Sequence, residues 1–208
     1  MEPKITVEVW SDIVCPWCWI ARRRFETALS ASSRRDRFKV VHRAFRLSPG
    51  GYVVPSVEMT SKKFHLSEAQ AIQRIREFEA NAVTDGLDFR MQDTLFGDSI
   101  DSHRIALWSE GTGLQSEVIE RLFKAYFSDG VSIFDRGNLV SLVTEVGLDP
   151  GDAAEMLESE SFKKEVFENE KRAGALGARG VPYFLVGEKN GLSGAQTTET
   201  FSRLIEKT

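Results

Sequence analysis

Cysteine is nearly absent from this chain of 208 residues: there are two, Cys15 and Cys18, in a single Cys-Pro-Trp-Cys. Two cysteines exclude a disulfide framework, and a structural zinc site would need two further ligands at short spacing. Histidine does not supply them. The three present, His42, His65 and His103, form no closely spaced pair. A basic excess is missing too: 27 Lys and Arg stand against 31 Asp and Glu, for a net charge of −4. Nucleic-acid binding needs a concentrated basic face, so nucleic acid is set aside as a partner. No apolar run approaches the ~18 residues of a membrane span, which sets aside the membrane. The opening MEPKITVEVWSDIVCPW has no long apolar core and no small-residue cleavage site. It does not read as a secretory signal, and the expected setting is cytoplasmic. With 41% hydrophobic and 28% charged residues, the composition is that of a globular protein. A chain of this length buries roughly 70% of its unfolded surface without a metal or a disulfide.

What is present gathers around the cysteines. A disulfide closing so short a loop constrains the unfolded chain little, and a reducing compartment would keep it open. A reversible dithiol remains. Ile5 to Trp10 alternates and is β-branched, as a strand is, while Ile20, Arg24, Phe25, Ala28 and Leu29 fall at helix spacing. Cys15 is therefore expected where a strand hands over to a helix N-terminus, with Pro16 at the first helical position. Unpaired N–H groups and the positive end of the helix dipole stabilise a thiolate there. Thiols so placed titrate at about 3.5–7.5, against about 8.5 when free. Cys15 is expected to be exposed and acidic, and Cys18, one turn further in, buried. Cys15 attacks and Cys18 resolves. Trp17, between them, either exposes an aromatic face beside the sulfurs or packs. Arg22, Arg23 and Arg24 read as a solvated helix face rather than a site for an acidic thiol. His103 reads as a helix-start hydrogen bond ahead of a polar group in a groove, and His42 and His65 carry no signal.

Along the chain, Arg37 to Phe45 reads as a second strand and Ser48 to Pro55 as a loop. From about Val57 to Leu176 the pattern is helical with almost no strand signal. Ser67 with Gln70 makes a capping box. Pro150 after Asp149 starts a short helix, and Ser161 to Ala175 supplies another. Strand pattern returns in Gly180 to Val186, entered through Val181-Pro182, and Asn190-Gly191 is the expected hairpin turn. Thr197 or Thr198 caps a last amphipathic helix. A proline before a strand removes a ladder donor and leaves Val181 with backbone groups free for an extended substrate. The end segments should pair into one sheet, with the helices inserted between them.

This layout, with Ser11-Asp12-Ile13-Val14-Cys15-Pro16-Trp17-Cys18, Gly180-Val181-Pro182-Tyr183-Phe184 and Ser193-Gly194-Ala195-Gln196, resembles the DsbA-like branch of the thioredoxin superfamily over essentially the whole chain. It is most similar to the FrnE-like dithiol-disulfide oxidoreductases and isomerases. The resemblance implies an α/β thioredoxin-like fold with a large all-helical insertion between β-α-β and β-β-α halves. Residues 1–55 and 177–208 would form a discontinuous thioredoxin-like domain, and residues 56–176 the helical insertion. It also implies a cis Val181-Pro182 bond facing the cysteines. Pro16, Trp17, Val181 and Pro182 would then contact substrate beside the catalytic Cys15 and Cys18. The implied partner is a protein or small molecule bearing a thiol or disulfide. No cofactor is expected, though a small thiol such as glutathione is a candidate redox partner. Hydroxychromene-carboxylate isomerases and kappa-class glutathione transferases share the insertion but generally carry a serine in place of Cys15 and lack the second cysteine. Glutathione-dependent chemistry of that kind is the alternative, and a non-catalytic binding module is a third reading.

Overall fold

The computed structural model describes residues 4–208. Strand β1 (Ile5–Ser11) leads through helix α1 (Pro16–Ala31) to β2 (Phe38–Ala44), which lies parallel to β1 from Ile5↔Phe38 to Ser11↔Ala44. A short β3 (Val54–Pro55) precedes α2 (Ser56–Phe64) and α3 (Glu68–Ala82), and β4 (Leu95–Phe96) pairs back onto β3. Helices α4 (Ile100–Trp108), α5 (Gln115–Lys124), α6 (Arg136–Glu145), α7 (Pro150–Glu158) and α8 (Lys163–Ala175) complete the helical block. A π-helical turn over Ala125–Asp129 extends α5. The chain then returns as β5 (Tyr183–Val186), β6 (Asn190–Ser193) and α9 (Thr198–Lys207). Sheet order is β2-β1-β5-β6. The antiparallel pairing of β1 with β5, Val7↔Val186 to Trp10↔Tyr183, joins the two ends of the chain in one sheet. No helix of the described residues is long and apolar enough to cross a membrane.

Helix α1 is the hinge between two cores. Ala21, Phe25 and Ala28 face the sheet and α9, where the Phe25 ring lies 5.4 Å from both Phe184 of β5 and Phe201 of α9. Cys18, Trp19 and Ile20 enter the core of the helical block instead. Trp19 stacks there on Phe89 at 5.3 Å and on Phe123 and Phe127 at 6.0 Å. Burying an aromatic side chain contributes about 1.5–3 kcal/mol, so this stack ties the insertion firmly to the redox helix.

Local signals act where the sequence places them. Ser67 and Gln70 close a reciprocal capping box on α3, Asp149 caps α7 ahead of Pro150, and Thr197 caps α9. The hairpin turn is different. Val186 pairs with Asn190, so the turn runs over residues 187–189, with Gly187 supplying the positive φ of 63°. Asn190-Gly191 belongs to β6. Gly191 serves packing, because a Cβ there would stand 2.2 Å from Tyr183 Oη. The β3–β4 ladder also went unanticipated, since two-residue strands carry no readable alternation.

The triple arginine is not a solvated face. Helix α5 packs over it, and Arg22 is buried with Nε 3.1 Å from Glu120 and Nη2 2.8 Å from Ser116 Oγ. Arg24 forms a forked pair with Asp85 at 2.7 and 2.8 Å. Arg22 Nη1 also donates to His42 Nε2 at 3.0 Å. Burial, with the Arg22 charge, holds His42 well below the usual histidine range. The unfolded chain protonates His42 near pH 6.5 and the folded chain does not. Stability from this site is therefore complete above pH 6.5 and is lost as pH falls toward the folded pKa. The expected slope is about 1.4 kcal/mol per pH unit for one proton. Urea unfolding at pH 5 to 8 should show that slope in the wild type and a flatter profile in His42→Gln, which keeps an acceptor for Arg22. Parallel profiles would contradict the assignment.

Candidate active site

Strand β1 ends at Ser11, and residues 12–15 turn the chain into α1, with Cys15 N bonded to Asp12 O at 3.0 Å. Cys15 occupies the cap position in extended conformation, Pro16 follows, and the first turn of α1 holds no acidic side chain. The positive end of the helix thus faces Cys15 unneutralised. Behind the turn, Asp12 is fully buried. It accepts from Leu47 N at 2.7 Å, Ser99 Oγ at 2.6 Å and His103 Nε2 at 3.3 Å. His103 is therefore neither a helix-start bond nor a groove residue. It is a buried strut from α4 to the redox loop, joining residues too distant in sequence for any local pattern to reveal.

The Val181–Pro182 bond is cis. The Val181 carbonyl accepts from Cys15 Sγ at 3.9 Å. The expected contrast in exposure is not found: Cys15 is 4% exposed and Cys18 2%. The reason is the helical block, whose core takes in both cysteines, while Phe78 of α3 packs against that core and sets its ring edge-on to Trp17 at 4.7 Å. What separates the thiols is access to a cavity of about 360 Å³, which Cys15, Pro16 and Trp17 line and Cys18 does not. Burial pushes the Cys18 thiol well up, reinforced by its hydrogen bond to Cys15 and the charge there. Trp17, 49% exposed, both packs on Phe78 and presents a face at the mouth.

Sequence reading missed the cavity's other side. Met59 and Phe64 of α2, Ile75 and Phe78 of α3, with Met91 and Phe96, make apolar walls. Ser56, Thr60 and Tyr126, all buried, also line it, with Thr94 beside Ser56. Thr94 Oγ1 donates to Met91 O at 2.9 Å, which leaves Ser56 Oγ to donate to Thr94 Oγ1 at 2.7 Å. Tyr126 Oη donates to Leu95 O, and burial holds its phenol above the usual range. Only the amphipathic spacing of α3 hinted at a wall here.

The sequence profile of the DSBA-like thioredoxin domain matches residues 6–206. The chain belongs to that family. This DsbA-like protein is similar to a probable DsbA oxidoreductase from Streptomyces coelicolor, with 35% identity, 98% of this chain and 89% of that chain covered, and a TM-score of 0.92. The cytosolic disulfide reductase DsbM from Pseudomonas aeruginosa, also solved with GSH, shares the fold at 19% identity, with 97% of each chain covered and a TM-score of 0.63. So does a 2-hydroxychromene-2-carboxylate isomerase, at 12% identity, 97% and 93% coverage and a TM-score of 0.68. No curated protein matches the chain. The architecture is the thioredoxin-like DsbA fold, α/β with a helical insertion.

Proposed function

We propose that this DsbA-like protein is a thiol–disulfide oxidoreductase in which Cys15 attacks and Cys18 resolves. One observation carries the reading: only Cys15 reaches the cavity, beside the Val181 carbonyl, while Cys18 lies buried behind it. Cys15 thiolate attacks a substrate disulfide, one S–S bond breaks, and the first substrate thiolate leaves. Cys15 is then neutral in a mixed disulfide, which removes the charge that opposes Cys18 ionisation. Cys18 thiolate attacks Cys15 Sγ, the second substrate thiolate leaves, and two electrons have passed to the substrate. Two molecules of a small thiol such as glutathione then reduce the Cys15–Cys18 disulfide through a mixed disulfide, leave as their own disulfide, and restore the dithiol. Residues 1–55 and 177–208 carry the sulfurs in this reading, and residues 56–176 carry the far wall of the cavity. Pro16 and Trp17 form the near wall, Val181 reaches Cys15 through its carbonyl, and Val181 and Pro182 do not line the cavity. The proposed setting is the cytosol, the compartment named for the Pseudomonas DsbM. Having a second thiol beside Cys15 favours redox turnover over glutathione-dependent isomerisation, which needs only one such position.

Equilibration with glutathione buffers tests this. The dithiol should oxidise reversibly, losing two hydrogens by mass, with a midpoint within the roughly −270 to −120 mV of exchange-active relatives. Failure to oxidise, or a midpoint below about −300 mV as in structural disulfides, would overturn the proposal.

A further inference from the structure

The geometry points to a substrate class: a small thiol or disulfide with an apolar body and a carboxylate at the end away from its sulfur, held at that end by Lys63 and Arg74. This rests on the exchange reading of Cys15. At about 360 Å³ the cavity is of small-molecule size, and its walls are largely apolar. No cation lines its inner end. Of its deeper hydroxyls, Tyr126 donates to Leu95 O and Ser56 to Thr94 Oγ1, so neither offers its proton to a ligand. The mouth is different. Lys63 and Arg74 line the cavity, both are exposed, and neither has a carboxylate partner among the described residues. Both charges rest over the Phe64 ring instead, Arg74 at 4.1 Å and Lys63 at 5.8 Å from its centroid. An exposed cation–π contact is worth only about 0.5–1 kcal/mol, so a carboxylate displaces it readily. The single acid among the lining residues, Glu77, is engaged by Gln73 Nε2 at 2.9 Å, and the mouth keeps a net positive charge. A ligand with its sulfur at Cys15 thus has apolar contact along its body and a cation pair at its outer end.

Two aromatic disulfides, the dianionic 5,5′-dithiobis(2-nitrobenzoate) and the neutral 4,4′-dithiodipyridine, are compared as a ratio before and after the mouth is altered, which separates charge from sulfur chemistry. In either case Cys15 thiolate forms a new S–S bond and expels one aryl thiolate. Cys18 then closes the Cys15–Cys18 disulfide and expels the second, and the two thiol protons go to solvent. The released thiolates are followed by absorbance. Reversing the mouth with Lys63→Glu and Arg74→Glu should shift the rate ratio of the two reagents by about tenfold or more against the carboxylate. In the wild type that ratio should also fall with added salt. A ratio unmoved by the double variant, or both rates falling together, would overturn the assignment while leaving Cys15 exchange intact. A wild type inert to both reagents would instead remove the exchange reading, and this assignment with it.

Discussion

Replacing Cys18 by serine should convert the protein from a catalyst into a trap. Cys15 still faces the cavity in that variant and still attacks a disulfide, but nothing remains behind it to displace the bound sulfur. Mixed disulfides through Cys15 should accumulate to most of the chain, visible as a mass increase that dithiothreitol removes. Cys15→Ser should trap about tenfold less. Its remaining thiol is 2% exposed, does not line the cavity, and is pushed well above the ordinary thiol range by burial. Thiolate fraction and access both control exchange rates, and Cys18 is disfavoured on each. Equal trapping by the two variants, or none by either, would withdraw the assignment of attacking and resolving roles.

The largest effect on stability is expected at Arg104, far from the sulfurs. Its side chain is fully buried in α4, at the end of α7. The guanidinium donates to Met156 O at 2.8 Å, Ser159 O at 2.6 Å and Ser161 O at 2.8 Å, and pairs with Asp101 at 2.6 Å. The last carbonyls of a helix have no partner within it and carry the negative end of its dipole, so one planar cation satisfies several at once. Arg104→Met removes every donor and leaves those carbonyls and Asp101 without it. Breaking such a buried arrangement costs about 3–5 kcal/mol. For a chain of this size the midpoint of thermal unfolding should fall by roughly 10 °C. Arg104→Lys keeps the charge but not the fork, and should recover only part of the loss. A methionine variant within about 1 kcal/mol of wild type in urea unfolding would show that solvent replaces these bonds.

Much of what makes the site was legible in one dimension because its causes are local. The alternation of Ile5 to Trp10, the helix spacing after Trp19 and Pro16 at a first helical position place Cys15 at a strand-to-helix junction. Ser67 with Gln70, Asp149 before Pro150 and Thr197 announce helix starts through bonds spanning three residues or fewer. Periodicity and caps act within a turn or two, so they survive without knowledge of the fold. The hairpin misled for the same reason: Asn190-Gly191 is a strong local signal, yet Gly191 is there for the Tyr183 ring, a cross-strand neighbour.

What only the tertiary structure decided depends on residues brought together across long stretches of chain. Asp12 meets Ser99 and His103, Arg22 meets His42 and Glu120, and Cys15 meets the Val181 carbonyl. No spacing rule encodes these pairs, because each is set by how α4, α5 and β5 dock on β1 and α1. The same docking buried Cys15 in the core of the helical block, filled the arginine face with acidic partners and opened a cavity against α2 and α3. The sulfur chemistry was written in four adjacent residues. Access to it was decided by the packing of a helical block whose apolar stripes, read alone, said only that they would be buried against something.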